Sequence, residues 1–175
     1  MKNSDFKTAI TLVVFVISLG LLLGGYQLYV KYTMVEPVKQ QLQARPAISN
    51  VDVARADGQY RIAVQLQQVD NLQQEYIAIQ ETLDKTLKKT PYKLTITDPA
   101  EDKLRDAYVR LQPAIYEAVA SNRYVWLDQT LSQYAASTGI SYHIYVDERF
   151  LYLHLADGDG NLYRVIDLKA AQNIT

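Results

Sequence analysis

Residues 9–30 form the longest apolar stretch of the chain, with Gln27 as its one strongly polar residue and no charge between Lys7 and Lys31. Stretches of ~20 apolar residues match the ~30 Å hydrocarbon core of a bilayer when they are helical. The pattern therefore predicts a short leader at residues 1–8 and an uncleaved transmembrane anchor at residues 9–32. A cleaved signal peptide is the alternative, but the small-residue cleavage site that it needs does not follow the stretch.

Two glycines within the apolar stretch, Gly20 and Gly24, have the GxxxG spacing. This spacing places two positions without side chains on one helix face, where a second helix can approach closely. We expect a helix–helix interface at this pair; ordinary glycine in an apolar helix is the alternative. The short leader before a single span favours a signal anchor whose C-terminal region lies outside the cytoplasm, in a bacterial envelope.

Residues 33–98 have the alternating periods of an αββαβ unit. Helical spacing starts near Pro37, strand alternation follows on both sides of an Asp57-Gly58 turn, and a longer helix precedes a third alternating run. Asp70 is the predicted N-cap of the longer helix. The buried stripe of that helix is predicted to comprise Leu72, Tyr76, Ile79, Leu83 and Leu87.

This unit resembles the BON-like and ring-building-motif domains of bacterial envelope proteins, over residues 35–98. The patterns that carry the resemblance are Val38-x-x-x-Leu42, Ile48-Ser-Asn-Val-Asp-Val53, Asp57-Gly58, Tyr60-Arg-Ile-Ala-Val64 and the stripe from Leu72 to Leu87. The resemblance implies a non-enzymatic association module used in assembly or envelope attachment.

Residues 99–175 are predicted to form a helical segment followed by a three-stranded antiparallel meander. Asp98 and Glu101 have the spacing of a capping box at the start of the first helix. Pro113 is expected to bend or interrupt this helix, and Gly139 to end the next one. The pattern leaves open whether the meander and the preceding unit share one sheet.

A turn at Glu148-Arg149 gives the first two strands of the meander one wholly apolar face, which fixes their register. The same register places two cross-strand pairs on the opposite face: His143 with His154, and Tyr145 with Tyr152. We predict that this Tyr/His face is an interaction surface. A shared metal ion and a pH-sensitive histidine pair are the alternatives, although neighbouring residues offer a poor set of further metal ligands.

Asp157, Asp159 and Asn161 have the spacing of the first ligands of an EF-hand calcium loop, but Leu162 and Leu168 occupy the positions that need glycine and glutamate. A hairpin turn explains the segment without an ion. No P-loop, dinucleotide-binding glycine fingerprint, Gly-x-Ser-x-Gly or His-Glu-x-x-His motif occurs. We therefore expect no enzymatic activity, no cofactor and no metal site.

Composition narrows the partners. The chain has 175 residues, with 18 basic and 19 acidic side chains and no cysteine. Nucleic-acid binding needs a clustered positive field, which this balance does not supply. Without cysteine the fold uses neither disulfides nor thiolate ligands.

These patterns predict an α+β protein with a single N-terminal transmembrane helix, an αββαβ unit, further helices and a C-terminal meander. The expected partners are the lipid bilayer and either a second copy of the chain or another membrane protein. The expected function is protein–protein association or envelope assembly. The alternative is a membrane-tethered sensor or small-ligand-binding domain, with Trp126 near a pocket on the Tyr/His face.

Overall fold

The computed structural model of the chain describes residues 12–22, 24–25, 29, 31–88, 90–98 and 102–172. The elements in chain order are α1 (helical backbone at residues 12–22, 24–25 and 29), a π-helical turn (Lys31–Val35), α2 (Glu36–Gln43), β1 (Ile48–Ala56), β2 (Gln59–Leu66), α3 (Leu72–Leu87), β3 (Tyr92–Thr97), α4 (Asp102–Ser121), α5 (Tyr124–Thr138), β4 (Ser141–Val146), β5 (Phe150–Asp157), β6 (Gly160–Asp167) and α6 (Leu168–Gln172).

The predicted transmembrane anchor at residues 9–32 is contradicted. In the described part of the chain, no helix combines the length and the apolar character needed to cross a membrane. The single-pass topology and the membrane location predicted from this anchor are therefore not supported, whereas the bilayer partner stays a prediction. The predicted leader at residues 1–8 lies outside the described residues.

Sheet A consists of β1, β2 and β3 in that order, with β1 and β2 antiparallel and β2 and β3 parallel. Asp57 and Gly58 make the β1–β2 turn with positive φ angles of 55° and 76°, as a type I′ turn requires. The helix α3 provides the crossover that parallel strands need. The buried residues of β2 are Tyr60, Ile62, Val64 and Leu66, as the sequence alternation predicts.

The helix α3 has the predicted buried stripe but a different cap. Its N-cap is Asn71, and not Asp70, because the Asn71 side chain accepts a hydrogen bond from the Gln74 amide at 3.0 Å. Asparagine with an extended backbone is as good an N-cap as aspartate. The buried residues of α3 are Leu72, Tyr76, Ile79, Leu83 and Leu87.

The second helical segment consists of α4 and α5, which are separated at Asn122. The helix α4 continues through Pro113, so the predicted interruption is wrong, whereas the alternative of a bend stays a prediction. Pro113 is exposed, and the buried residues on the other side of α4 offset the hydrogen bond that proline removes. Gly139 ends α5 in the left-handed region at φ 74°, as predicted. Glu101 of the predicted capping box lies outside the described residues.

Sheet B consists of β4, β5 and β6 in that order, all antiparallel, and it is separate from sheet A. The predicted hairpin register is confirmed: Tyr142 pairs with Leu155, Ile144 with Leu153, and Val146 with Leu151. The β5–β6 turn forms at Gly158 and Asp159, with Gly158 at φ 56°.

Sheet B separates two hydrophobic cores. Its apolar face packs on α4 and α5, where Leu151, Leu153 and Leu155 are at most 1% exposed. Its other face contributes Phe150, Tyr152 and Tyr163 to the core that α2, α3 and sheet A form. The strand β5 is therefore buried on both faces, and the two halves of the described chain pack against each other.

Candidate binding surfaces

The Tyr/His face has the predicted cross-strand pairs, since His143 lies opposite His154 and Tyr145 opposite Tyr152. Its four residues differ in exposure. His143 is exposed and Tyr145 is half-buried, whereas His154 is 6% exposed and Tyr152 is 1% exposed. Any contact of this face with a partner is therefore restricted to its β4 side.

Tyr152 is held inside the chain by α3 and by the β4–β5 turn. Its ring contacts Tyr76 edge to face, at 5.7 Å between centroids, and its hydroxyl donates to Asp147 Oδ2 at 2.7 Å. Burial, followed by this hydrogen bond, raises the pKa of the Tyr152 hydroxyl far above its ordinary value of 10.0. The hydroxyl stays protonated at physiological pH, which suits a structural donor.

His154 is the buried member of the histidine pair. Its ring stacks on His143 at 5.8 Å and lies 4.6 Å from the Tyr163 ring, and its Nε2 is 2.8 Å from Asn161 Oδ1. Because that oxygen is an acceptor, Nε2 carries the proton. Burial lowers the pKa of His154 below 6.5; the Asn161 hydrogen bond opposes this and the charge of His143 adds to it. The ring is therefore neutral at pH 7.

The two candidate cation sites have other structural explanations. Among the described residues, no group of three His, Cys, Asp or Glu side chains is placed to hold a metal ion. In the loop with EF-hand spacing, Asp157 pairs with Lys103 at 2.5 Å, and Asn161 bonds His154 and the Asp159 carbonyl. These oxygens bond within the chain, as a hairpin turn requires.

The apolar helix α1 presents its side chains to solvent. Its large apolar residues are between 45% and 72% exposed: Leu12, Val13, Val14, Phe15, Val16, Ile17, Leu19, Leu21 and Leu22. Gly20 and Gly24 are both in helical backbone, and a β-carbon built on either one meets nothing within 4 Å. The predicted close-approach face is therefore open.

Trp126 does not border the Tyr/His face. It lies on α5 and packs with the core on the opposite side of sheet B, where the Arg123 guanidinium lies 4.8 Å from its ring centroid. The expected pocket that would combine Trp126 with the Tyr/His face is therefore not formed.

A groove of about 1100 Å³ lies between β3 and β6, and we call it the β3–β6 groove. Both strands are edge strands of their sheets, and α3 contributes Tyr76 and Gln80 to the groove. Asp98 closes one end, because its Oδ2 accepts hydrogen bonds from the Tyr163 amide at 3.2 Å and from Arg164 Nη1 at 2.6 Å.

Basic side chains outnumber acidic ones along this groove. Its basic residues are Lys88, Lys93, Arg105, Arg149 and Arg164, and its acidic residues are Asp84, Asp98 and Asp167. Each acid has a partner: Asp84 accepts from Tyr92 at 2.7 Å, Asp98 pairs with Arg164, and Asp167 lies 3.8 Å from Arg149. Lys88 and Lys93 have no ion-pair partner among the described residues.

The sequence pattern did not predict this groove. Strand alternation identified β3 and β6 but says nothing about which strands lie at sheet edges or face each other. A weak signal was the polar side of β3, where Lys93 alternates with half-buried Leu94.

A scan against protein-family models, a search of curated proteins and a search of solved structures found no match to this chain. The resemblance of residues 35–98 to BON-like domains therefore stays a prediction.

Proposed function

We propose that this chain is a non-catalytic association module that pairs with a second copy of itself through α1. The observation that carries the proposal is the exposure of α1, whose large apolar side chains are all at least 45% exposed. Contiguous exposed apolar surface of this kind is costly in water and typically marks an interaction site. Pairing of two α1 helices would remove much of it from solvent.

The position of the glycines supports a second copy as the partner. Gly20 and Gly24 lie one helical turn apart on an unobstructed face. A two-fold pair would place this face against the same face of the other chain, which lets the backbones approach and the flanking apolar side chains interlock. The interface is then self-complementary.

The alternative of a small-ligand-binding domain has less support. Its expected pocket drew on Tyr152 and His154, which are buried between α3 and sheet B, and on Trp126, which lies on the other side of that sheet.

The experiment is sedimentation equilibrium of the full chain in a mild detergent that keeps exposed apolar side chains in solution. We expect a dimer. Gly20→Leu and Gly24→Leu should shift the chain to monomer, because each adds bulk to the proposed contact face. Ser18→Leu places the same side chain on the opposite side of α1 and should leave the dimer intact.

Cysteine cross-linking gives a second readout, since the chain has no native cysteine. A single cysteine at Gly24 should form an intermolecular disulfide more readily than one at Leu22, which faces away. A strictly monomeric chain, or a dimer that is equally sensitive to Ser18→Leu and Gly20→Leu, would overturn the proposal. Flotation of a monomeric chain with lipid vesicles would also overturn it.

A further inference from the structure

The outer edge of β3 has free backbone positions. The Tyr60 amide donates to the Pro91 carbonyl at 3.0 Å, and in a parallel ladder such bonds recur at every second residue. Lys93 and Thr95 therefore bond to β2, whereas Leu94 and Ile96 direct their amides and carbonyls into the β3–β6 groove. Within the described chain, β3 pairs with no strand on this side. Such an edge is a template for another strand.

The side chains of β3 specify what an added strand needs. Leu94 and Ile96 are half-buried on the side of the sheet that faces the core, while Lys93 and Thr95 are exposed on the other side. Residues that lie opposite each other on neighbouring strands share a face. An added strand would therefore place apolar side chains beside Leu94 and Ile96 and acidic side chains beside Lys93.

The charges of the groove favour an acidic occupant. The chain has a net charge of −1, yet the groove has more basic than acidic residues and its acids are already partnered. Lys88 lies near one end of the groove and Lys93 on the outer face of sheet A. Neither lysine has an ion-pair partner among the described residues, so both are available for carboxylates of an added strand. Opposite charges on neighbouring strands stabilise their pairing.

The dimensions favour a peptide over a small molecule. Every residue from Tyr92 to Asp98 lines the groove, which at ~3.3 Å per residue makes it roughly 20 Å long. Its volume of about 1100 Å³ exceeds the ~300–1,000 Å³ of typical small-molecule pockets. The far wall is β6, which contributes Val165 and Asp167 to the lining.

We propose that the β3–β6 groove binds an extended acidic segment of another protein, which adds to sheet A as a fourth strand beside β3. The site is separate from α1, so it does not depend on pairing of two copies.

The test uses the full chain and a fluorescein-labelled peptide of alternating glutamate and valine. Fluorescence anisotropy should show binding that weakens as salt is added, because the exposed charges become screened. Two matched peptides serve as controls. A lysine/valine peptide should not bind, since its charge is reversed. A glutamate/valine peptide with proline at its centre should bind poorly, since it lacks an amide that pairing with β3 needs.

Hydrogen exchange locates the binding. With the glutamate/valine peptide, the amides of Leu94 and Ile96 should become protected, whereas those of Lys93 and Thr95 are already protected by β2. An equal gain of protection at both pairs, or no gain at Leu94 and Ile96, would overturn strand addition. Equal binding of all three peptides would overturn it as well.

Charge reversal in the chain identifies the groove. Lys93→Glu should weaken binding about three- to tenfold, consistent with the energies of exposed ion pairs. Lys85→Glu is the matched control, because Lys85 lies on α3 outside the groove and pairs with Glu81 at 3.7 Å. An equal effect of both changes would indicate nonspecific attraction and overturn the site. Failure here leaves the α1 dimer untouched, and a monomeric chain leaves peptide binding untouched.

Discussion

Sheet A and sheet B each have three strands, but they are covered differently. The central strand of sheet A, β2, alternates between buried and partly exposed residues, because α2 and α3 cover one face and solvent the other. The central strand of sheet B, β5, is buried at six consecutive positions, because α4 and α5 cover one face and α3 covers the other. The difference shows that a strand with polar and aromatic residues on one side can still be wholly internal when those residues find partners.

The largest expected effect is the loss of stability when core side chains on the two faces of β5 are truncated, and it tests this contrast directly. Leu153→Ala and Tyr152→Ala, on opposite faces of β5, should each lower the free energy of unfolding by about 3 kcal/mol, because both leave cavities. On β2, Ile62→Ala should have a similar effect, but Arg61→Ala should stay within ~0.5 kcal/mol, since Arg61 is exposed. Urea unfolding followed by circular dichroism measures all four. A neutral Tyr152→Ala would mean that the second face of sheet B is not covered.

A smaller loss of stability should follow from removing the ion pair between Asp98 and Arg164, which joins the two halves of the described chain. Asp98 has a side chain 3% exposed and lies 2.6 Å from Arg164, which is 30% exposed. Asp98→Ala should cost about 2 kcal/mol, because it leaves the guanidinium and the Tyr163 amide without this acceptor. This cost is smaller than that of breaking a fully buried ion pair, because Arg164 is partly exposed to water.

Asp102→Ala is the matched control for Asp98→Ala. Asp102 lies 3.9 Å from Arg105 and its side chain is 99% exposed, so its removal should change the stability by less than ~0.5 kcal/mol. Equal destabilisation by the two changes would show that Asp98 contributes no more than a surface charge and that the halves are joined elsewhere.

The smallest expected effect is a pH dependence at the rim of the covered face. Burial lowers the folded-state pKa of His154 below its ordinary 6.5. Between these two pKa values the unfolded chain binds more protons, so stability is complete above pH 6.5 and decreases as the pH falls through this range. His154→Gln, whose amide can still donate to Asn161, should lose less stability than the native chain between pH 7.5 and 5.5.

His143→Gln is the matched control for His154→Gln, because His143 is exposed and lies opposite His154 on the edge strand β4. It should retain most of the native decrease in stability, because burial is the main cause of the His154 shift and the His143 charge a lesser one. Unfolding midpoints in urea at the two pH values measure the difference. A native chain and a His154→Gln variant with identical pH dependence would contradict the buried position of His154.

Much of the local fold could be predicted from the sequence. The β4–β5 register follows from one apolar face, because a one-residue slip would move Leu151, Leu153 and Leu155 to the other side. The stripe of α3 likewise follows from its spacing. The predicted anchor was wrong: hydropathy identified the apolar stretch, but no helix in the described part of the chain is long and apolar enough to span a membrane.

The candidate sites depended more on tertiary structure. The pairing of His143 with His154 and of Tyr145 with Tyr152 is a local property of the hairpin and was predicted. Their separation into exposed and buried members was not, because it depends on the docking of α3 over β5. The α1 glycines were identified from spacing, whereas the β3–β6 groove required knowledge of which strands end each sheet.

The sequence by itself determined the elements and the faces that each one must bury, since side-chain periodicity is a local consequence of backbone geometry. The tertiary structure alone decided that β2 and β3 are parallel, that the two sheets are separate, and that α3 packs on the Tyr/His face at Tyr152. These outcomes depend on contacts between residues far apart in the chain, such as Tyr163 with Gln67 and Asp98 with Arg164. Such contacts form only when the buried faces of two elements pack together. The periodicity of an element identifies its buried face but not the element that packs against that face.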